Sequence, residues 1–166
     1  MAKKKTKNNL PIIITTLSLV LAIASIVMLF LANVKVKEAD TTYTGIQTAF
    51  GHKEKVLYNE IQIFHFSFLN LLPYILVLVG LVLGLIGGLG KGKALLIIIA
   101  TLVFFGAGVL FFFVPSFVQF NGDASSIINA FGGNVKEMFE LAYGAIIAGI
   151  CSLLAGVSSV FRLALK

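Results

Sequence analysis

Glu137 and Glu140 stand three residues apart, a spacing that puts two carboxylates on one face of a helix. Such a pair could hold a cation or share acid and base work. It is equally what a solvated helix start needs, where exposed N–H groups carry partial positive charge, and that is the simpler reading. His52 and His65 are the only histidines. Glu60 lies five positions before His65, and in an extended segment an odd separation turns two side chains to opposite faces, a poor metal site. Cys151, the single cysteine, excludes an intramolecular disulfide and any Cys-x-x-Cys centre, and reads as a small packing residue. The run Gly87-Gly88-Leu89-Gly90-Lys91-Gly92-Lys93 lacks the Gly-x-x-x-x-Gly-Lys-[Ser/Thr] spacing that cradles a phosphate. These residues lead us to expect no catalytic centre, no metal and no cofactor. A membrane enzyme using Glu60, Asp123, Glu137 or Glu140 is the least supported alternative.

The elements that must position these groups are set by hydropathy. Hydrophobic residues make up 58% of the 166, and the mean hydropathy is +1.01. Four runs, 10–32, 68–90, 94–118 and 141–161, are 21 to 25 residues long and carry no charge. At about 1.5 Å per residue each reaches the ~30 Å of a bilayer core. They are apolar all round, whereas a helix in a soluble bundle shows a polar face. The first run follows a lysine cluster and contains Ala22-Ile23-Ala24, as a cleaved signal might. It continues through Ala32, too long for a signal core, so it reads as an uncleaved anchor.

Charge is segregated between the runs. Lys3, Lys4, Lys5, Lys7, Lys91, Lys93, Arg162 and Lys166 flank the spans on one side with no acid among them. All seven acids lie in the segments 33–67 and 119–140, with the other five lysines. Basic residues next to spans mark the cytoplasmic side. The expectation is a single integral domain over residues 1–166 in the plasma membrane, with both termini inside and two outer loops. The basic side suits anionic lipids of the inner leaflet, so the net charge of +6 does not call for nucleic acid.

Within the first outer loop the pattern predicts a β-hairpin, residues 42–50 with 56–63, turning at Gly51–Glu54. In the second, Asp123 would cap a short interfacial helix over residues 124–131, with Ile127, Ile128 and Phe131 on one side. The fourth helix is expected to start at Val135, with Lys136 and Glu140 one turn apart. Thr44, Gly45, Phe50 and Gly51, with Ile127, Ile128 and Phe131, form the candidate partner-binding surface. Small-residue ridges, Gly80, Gly84 and Gly88 on the second span and Gly144, Ala148, Ser152 and Gly156 on the fourth, are the expected helix-packing faces. Hydroxyls such as Thr15, Ser18, Ser25, Thr101 and Ser152 can bond back to their own helix. No Asp, Glu, Lys, Arg or His lies in the core of a run, which counts against proton-coupled transport and voltage sensing.

The segment Thr44-Gly45-Ile46-Gln47-Thr48-Ala49-Phe50-Gly51, taken with the four-run plan, resembles the Thr-Gly…Phe-Gly outer segment of small four-span membrane proteins from AT-rich Gram-positive bacteria and mollicutes. Twelve lysines to one arginine, and no tryptophan, are similar to the usage of such genomes. That resemblance implies no activity. The layout also resembles claudins, but the paired loop cysteines and the tryptophan of that family are missing, so none of its residues or functions carry over. The expected architecture is an all-α membrane protein: a four-transmembrane-helix bundle with a small β-hairpin in the first outer loop and a short interfacial helix in the second. The expected role is non-enzymatic, through a protein partner or a second copy, as an accessory, scaffold or immunity-type subunit. The alternative is a subunit of an oligomeric transporter or channel.

Overall fold

The computed structural model describes residues 9–37, 40–56, 59–89, 94–122 and 135–165. Four helices are long and apolar enough to cross a membrane, which suggests a multi-pass membrane protein. They are α1 (Leu10–Val27, extended by a 3-10 turn Met28–Phe30), α3 (Phe68–Leu89), α4 (Ala94–Phe111) and α5 (Tyr143–Ala164). They close a ring: α1 lies beside α3, α3 beside α4, α4 beside α5, and α5 beside α1. Apolar residues cover the outside, among them Ile12, Val20, Leu102, Val109, Ile150 and Leu154. In water that surface would be a severe aggregation hazard, and in lipid it is the solvated face.

Helix ends depart from the apolar runs where local chemistry favours another shape. The first run gives way early: α1 ends at Val27 and a strand, β1 (Ala32–Val36), begins within the run. The alternation of Val34, Lys35 and Val36 suits a half-buried strand. The third helix stops at Phe111, before a 3-10 turn Val114–Phe117 around Pro115. Proline there has no N–H to give and disfavours a helical residue before it. The fourth helix does not start at Val135. A 3-10 turn (Val135–Met138) and strand β5 (Phe139–Leu141) precede it. Lys136 and Glu140 therefore share no helix face, and neither do Glu137 and Glu140.

The hairpin is also corrected. Residues 42–50 do not form one strand. Thr42–Thr44 is strand β2 and Gly45–Phe50 is a short helix, α2. The hairpin consists of β3 (His52–Val56) and β4 (Asn59–Phe64), so the residues expected to turn, Gly51–Glu54, instead lead into and build its first strand. The reason is a capping box. Thr44 Oγ1 accepts from the Gln47 N–H at 3.3 Å, and Gln47 Oε1 accepts from the Thr44 N–H at 2.8 Å. Together they satisfy N–H groups that a helix start leaves unpaired. Gly51 then closes α2 at φ 97°, a left-handed conformation that disfavours any side chain.

The first long segment supplies β1 and β2, and β5 adds the other edge from the second. The sheet order is β2-β1-β5, antiparallel throughout, with Val34 opposite both Tyr43 and Leu141. Glu140 faces Lys35 across this sheet with Nζ and Oε1 4.0 Å apart. Both side chains are nearly half exposed, so the pair adds at most about 1 kcal/mol. The expected interfacial helix over residues 124–131, and with it Ile127, Ile128 and Phe131, lies outside the described residues. So do Lys3, Lys4, Lys5, Lys7, Lys91, Lys93 and Lys166.

Between helices the contacts are close and partly polar. Ser18 and Ser25, two turns apart on α1, donate to the carbonyls of Ala155 (3.0 Å) and Ala148 (2.9 Å) on α5. Ser152 donates to the Phe104 carbonyl on α4 at 2.8 Å. These three bond across helices rather than back to their own turn. Thr15, Thr101, Ser158 and Ser159 do bond back, to the carbonyls of Pro11, Ile97, Leu154 and Ala155. The glycines differ among themselves. A Cβ on Gly80 would fall 2.7 Å from the Phe104 ring, and one on Gly88 would overlap the Thr15 side chain. On Gly84 it would meet only Leu19 Cδ2 at 3.8 Å, an ordinary contact. On α5, Gly144 abuts the Ala32 carbonyl, and Gly156 lies under the Phe105 ring.

Candidate functional site

The sheet, the hairpin and α2 form one cap over the end of the bundle where α1 and α4 finish and α3 and α5 begin. Its interior is aromatic. Phe64 is fully buried, with ring centroids 4.6 Å from Tyr43, 5.3 Å from Phe120 and 6.0 Å from Phe139. The Tyr43 and Phe120 contacts are close to edge-to-face, the arrangement that ring quadrupoles favour. Phe120 comes from beyond α4 and Phe139 from β5, so both long segments meet in this cluster. Backbone bonds add to it: His65 N–H donates to the Gln119 carbonyl at 2.9 Å, and Asn121 N–H to the Ile63 carbonyl at 3.2 Å.

Beneath the cluster lies a polar floor. Asn33, fully buried on β1, donates its Nδ2–H to the Tyr74 hydroxyl on α3. Gly45, at the start of α2, completes the fit. A Cβ there would stand 2.5 Å from Asn33 Nδ2, 2.8 Å from the Leu29 carbonyl and 2.9 Å from the Tyr74 hydroxyl. Asn70 Nδ2 donates to the Thr48 carbonyl at 3.2 Å, and Ser67 Oγ to the Phe117 carbonyl at 2.6 Å. The cap is thus fastened to α3 and to the end of α4 as well as to its own strands.

Titratable groups gather on one side of the cap. Tyr43 donates its hydroxyl to Glu54 at 3.4 Å, His52 Nε2 lies 4.0 Å from the same carboxylate, and Gln47 Nε2 lies 3.4 Å from His52 Nδ1. Burial, then the Glu54 charge and hydrogen bond, push the Tyr43 hydroxyl up to about 12. Because the folded-state value is raised, the stabilisation from neutral Tyr43 is complete below the ordinary value of 10.0 and is lost as pH rises through about 12. A tyrosinate absorbance titration of the wild type minus Tyr43→Phe should therefore show a step near the upper value. A step at the ordinary tyrosine value would contradict the packing described.

The residues expected to bind a partner are divided by this geometry. Thr44 and Gly51 are the caps of α2, and Gly45 is locked in the floor; these three hold the shape. Phe50 alone of the four presents a large apolar surface, 55% exposed, and its ring lies 6.2 Å from that of Phe66, 52% exposed. His65 does not join Glu60; its Nδ1 is 3.2 Å from Gln62 Nε2. Among the described residues no three His, Cys, Asp or Glu side chains come together as a metal site. Tyr43, Asn33, Tyr74, Phe64 and Phe139 were not singled out by their sequence context, because each acts through neighbours distant in the chain.

At the opposite end of the bundle, Arg162 is inside α5, which runs on to Ala164. It lines a pocket with residues of all four long helices, and its Nε, fully buried, has no hydrogen-bond partner. The expected topology anchor is thus built into the bundle. No family model matches the chain, and no curated protein matches it.

Proposed function

We propose that this is a non-enzymatic, multi-pass protein of the cell membrane that acts through contacts made by its cap, as an accessory, scaffold or immunity-type subunit. The observation that supports this most is that the two loops build one body, with a shared aromatic core and a bolted floor. A connecting loop has no need of such construction, whereas a recognition surface needs a fixed shape, since ordering on binding would cost affinity. Exposed aromatics at the cap ends of the long helices, Phe30, Phe68, Phe113 and Tyr143, suit the headgroup level. That depth would leave the cap standing outside the hydrocarbon. Every acid among the described residues is on the cap side, which favours the cap as the outer face and both termini as cytoplasmic. Kinship with the small four-span proteins of AT-rich genomes belongs to the same reading.

The alternative, a subunit of an oligomeric transporter or channel, would have to conduct between copies. Val77, Phe104 and Phe111 are fully buried between the helices and fill the space a path through one copy would need.

The test is retention of a companion, another protein or a second copy, at fixed stoichiometry after extraction of the full chain from its native membrane in mild detergent. Replacing Phe50 and Phe66 together by alanine should reduce retention by about tenfold or more, as for paired aromatic anchors. Gly106→Ala, on the exposed face of α4, should leave it unchanged. Full retention by the Phe50/Phe66 variant would refute the cap as the contact surface.

A further inference from the structure

The pocket at the end opposite the cap holds the one Asp, Glu, Lys, Arg or His side chain of the four long helices. It is a narrow, half-open cleft lined by Thr15 and Ser18 of α1, Gly84 and Gly88 of α3, and Ser159 and Arg162 of α5. Thr15 lies five residues into α1 and Arg162 two before the end of α5, so the cleft lies near this end of the bundle. The hydroxyls have nothing left to donate. Thr15 donates to the Pro11 carbonyl, while Ser18 and Ser159 are taken up by each other and by the Ala155 carbonyl. Arg162 is different: its buried Nε has no partner, and no carboxylate pairs with it among the described residues. A guanidinium with a buried, unpartnered Nε calls for an anion.

We propose that the pocket is a phosphate site, and that its ligand is the phosphodiester of an anionic phospholipid held by the Arg162 fork. Three observations converge on that chemistry. The guanidinium presents paired N–H donors whose geometry matches two phosphate oxygens, which an ammonium cannot do. The only arginine of the chain, against twelve lysines, is the one in this pocket. The cleft is half open, so a phosphate can meet the guanidinium at its mouth, and Phe161 and Leu165, close to Arg162 in the sequence, are exposed apolar side chains over which acyl chains can run. Basic pockets between membrane helices bind anionic headgroups in this way. The site rests on the membrane reading of the bundle and is independent of what the cap contacts.

The experiment is native mass spectrometry of the full chain in detergent, titrated separately with phosphatidylglycerol, phosphatidylcholine and inorganic phosphate. The wild type should retain one phosphatidylglycerol where phosphatidylcholine is lost. Arg162→Gln should weaken retention by about tenfold or more, and Arg162→Lys should recover only part of it, since the charge returns without the fork. Thermal stability of both variants in lipid-free detergent should match the wild type, because Nε gives up no protein partner. Equal retention by wild type and Arg162→Gln would overturn the proposal. So would Arg162-dependent retention of inorganic phosphate without phosphatidylglycerol, which would assign the site to a soluble anion. A chain that stays monodisperse without detergent would refute the membrane reading itself, a result distinct from either. If Arg162→Gln proves unstable, the wild type's own preference between the two lipids decides, and no preference overturns the site.

Discussion

Gly144→Val should leave little folded protein. A Cβ at this position would stand 2.6 Å from both the Ala32 carbonyl oxygen and Asn33 Oδ1. Neither can retreat. Ala32 and Asn33 belong to the central strand of the cap sheet, and the Asn33 carbonyl is held by the Ala142 N–H at 3.0 Å. Overpacking typically costs about 1–3 kcal/mol, and a clash with fixed backbone belongs at the top of that range. Against a total stability of about 5–15 kcal/mol, that loss together with a displaced strand should be visible as a collapse of monodisperse yield in detergent. The comparison that gives this meaning is Gly106→Ala, where nothing lies within 4 Å. There a helix interior should gain up to about 1 kcal/mol from the better helix former. Gly84→Ala should be nearly silent as well, while Gly80→Ala and Gly88→Ala should both destabilise. Thermal unfolding of the four variants should rank them so, and equal effects along the Gly80–Gly84–Gly88 ridge would refute the packing.

Phe64→Ala should melt the cap and spare the bundle. The ring is fully buried against Tyr43, Phe120 and Phe139, and removing a buried Phe side chain costs about 3–5 kcal/mol. The long helices keep their own seams, Ser18 and Ser25 to α5 and Ser152 to α4, none of which passes through Phe64. Hydrogen exchange should then show lost amide protection in β3, β4 and residues 119–121, with protection in α4 and α5 unchanged. Protection lost everywhere together would mean that cap and bundle unfold as one unit. If the cap is the recognition surface, the same variant should also release whatever Phe50 and Phe66 hold.

The four long helices were legible because lipid imposes a plain rule, uniform apolarity over about 20 residues. Their ends were not, since Ala32 is as apolar as the helix before it, yet strand pairing claims it. Thr44-Gly45-Ile46-Gln47 did carry its signal: Thr followed three places later by Gln is a helix start. The β-branched and aromatic residues around it outweighed that signal and suggested a strand. β5 is three residues long and pairs with a strand some hundred positions earlier, so nothing local announces it. The seven-residue interval of Ser18 and Ser25 was visible as a stripe, but the carbonyls that receive them were not. Arg162 looked like a terminal anchor because it follows the last apolar run. Its surroundings come from all four helices, a convergence that only the folded chain contains.

The ring of helices joins α1 to α5, the two long helices furthest apart in the described sequence. Ser18 and Ser25 find their acceptors on α5, and the central strand of the cap waits for β5, just ahead of it. During synthesis α1 is therefore made with two hydroxyls and a strand edge whose partners follow more than a hundred residues later. Until α5 arrives, α1 can rest only on α3, its other neighbour. Sheet and seam can be completed only once β5 and α5 have both been made.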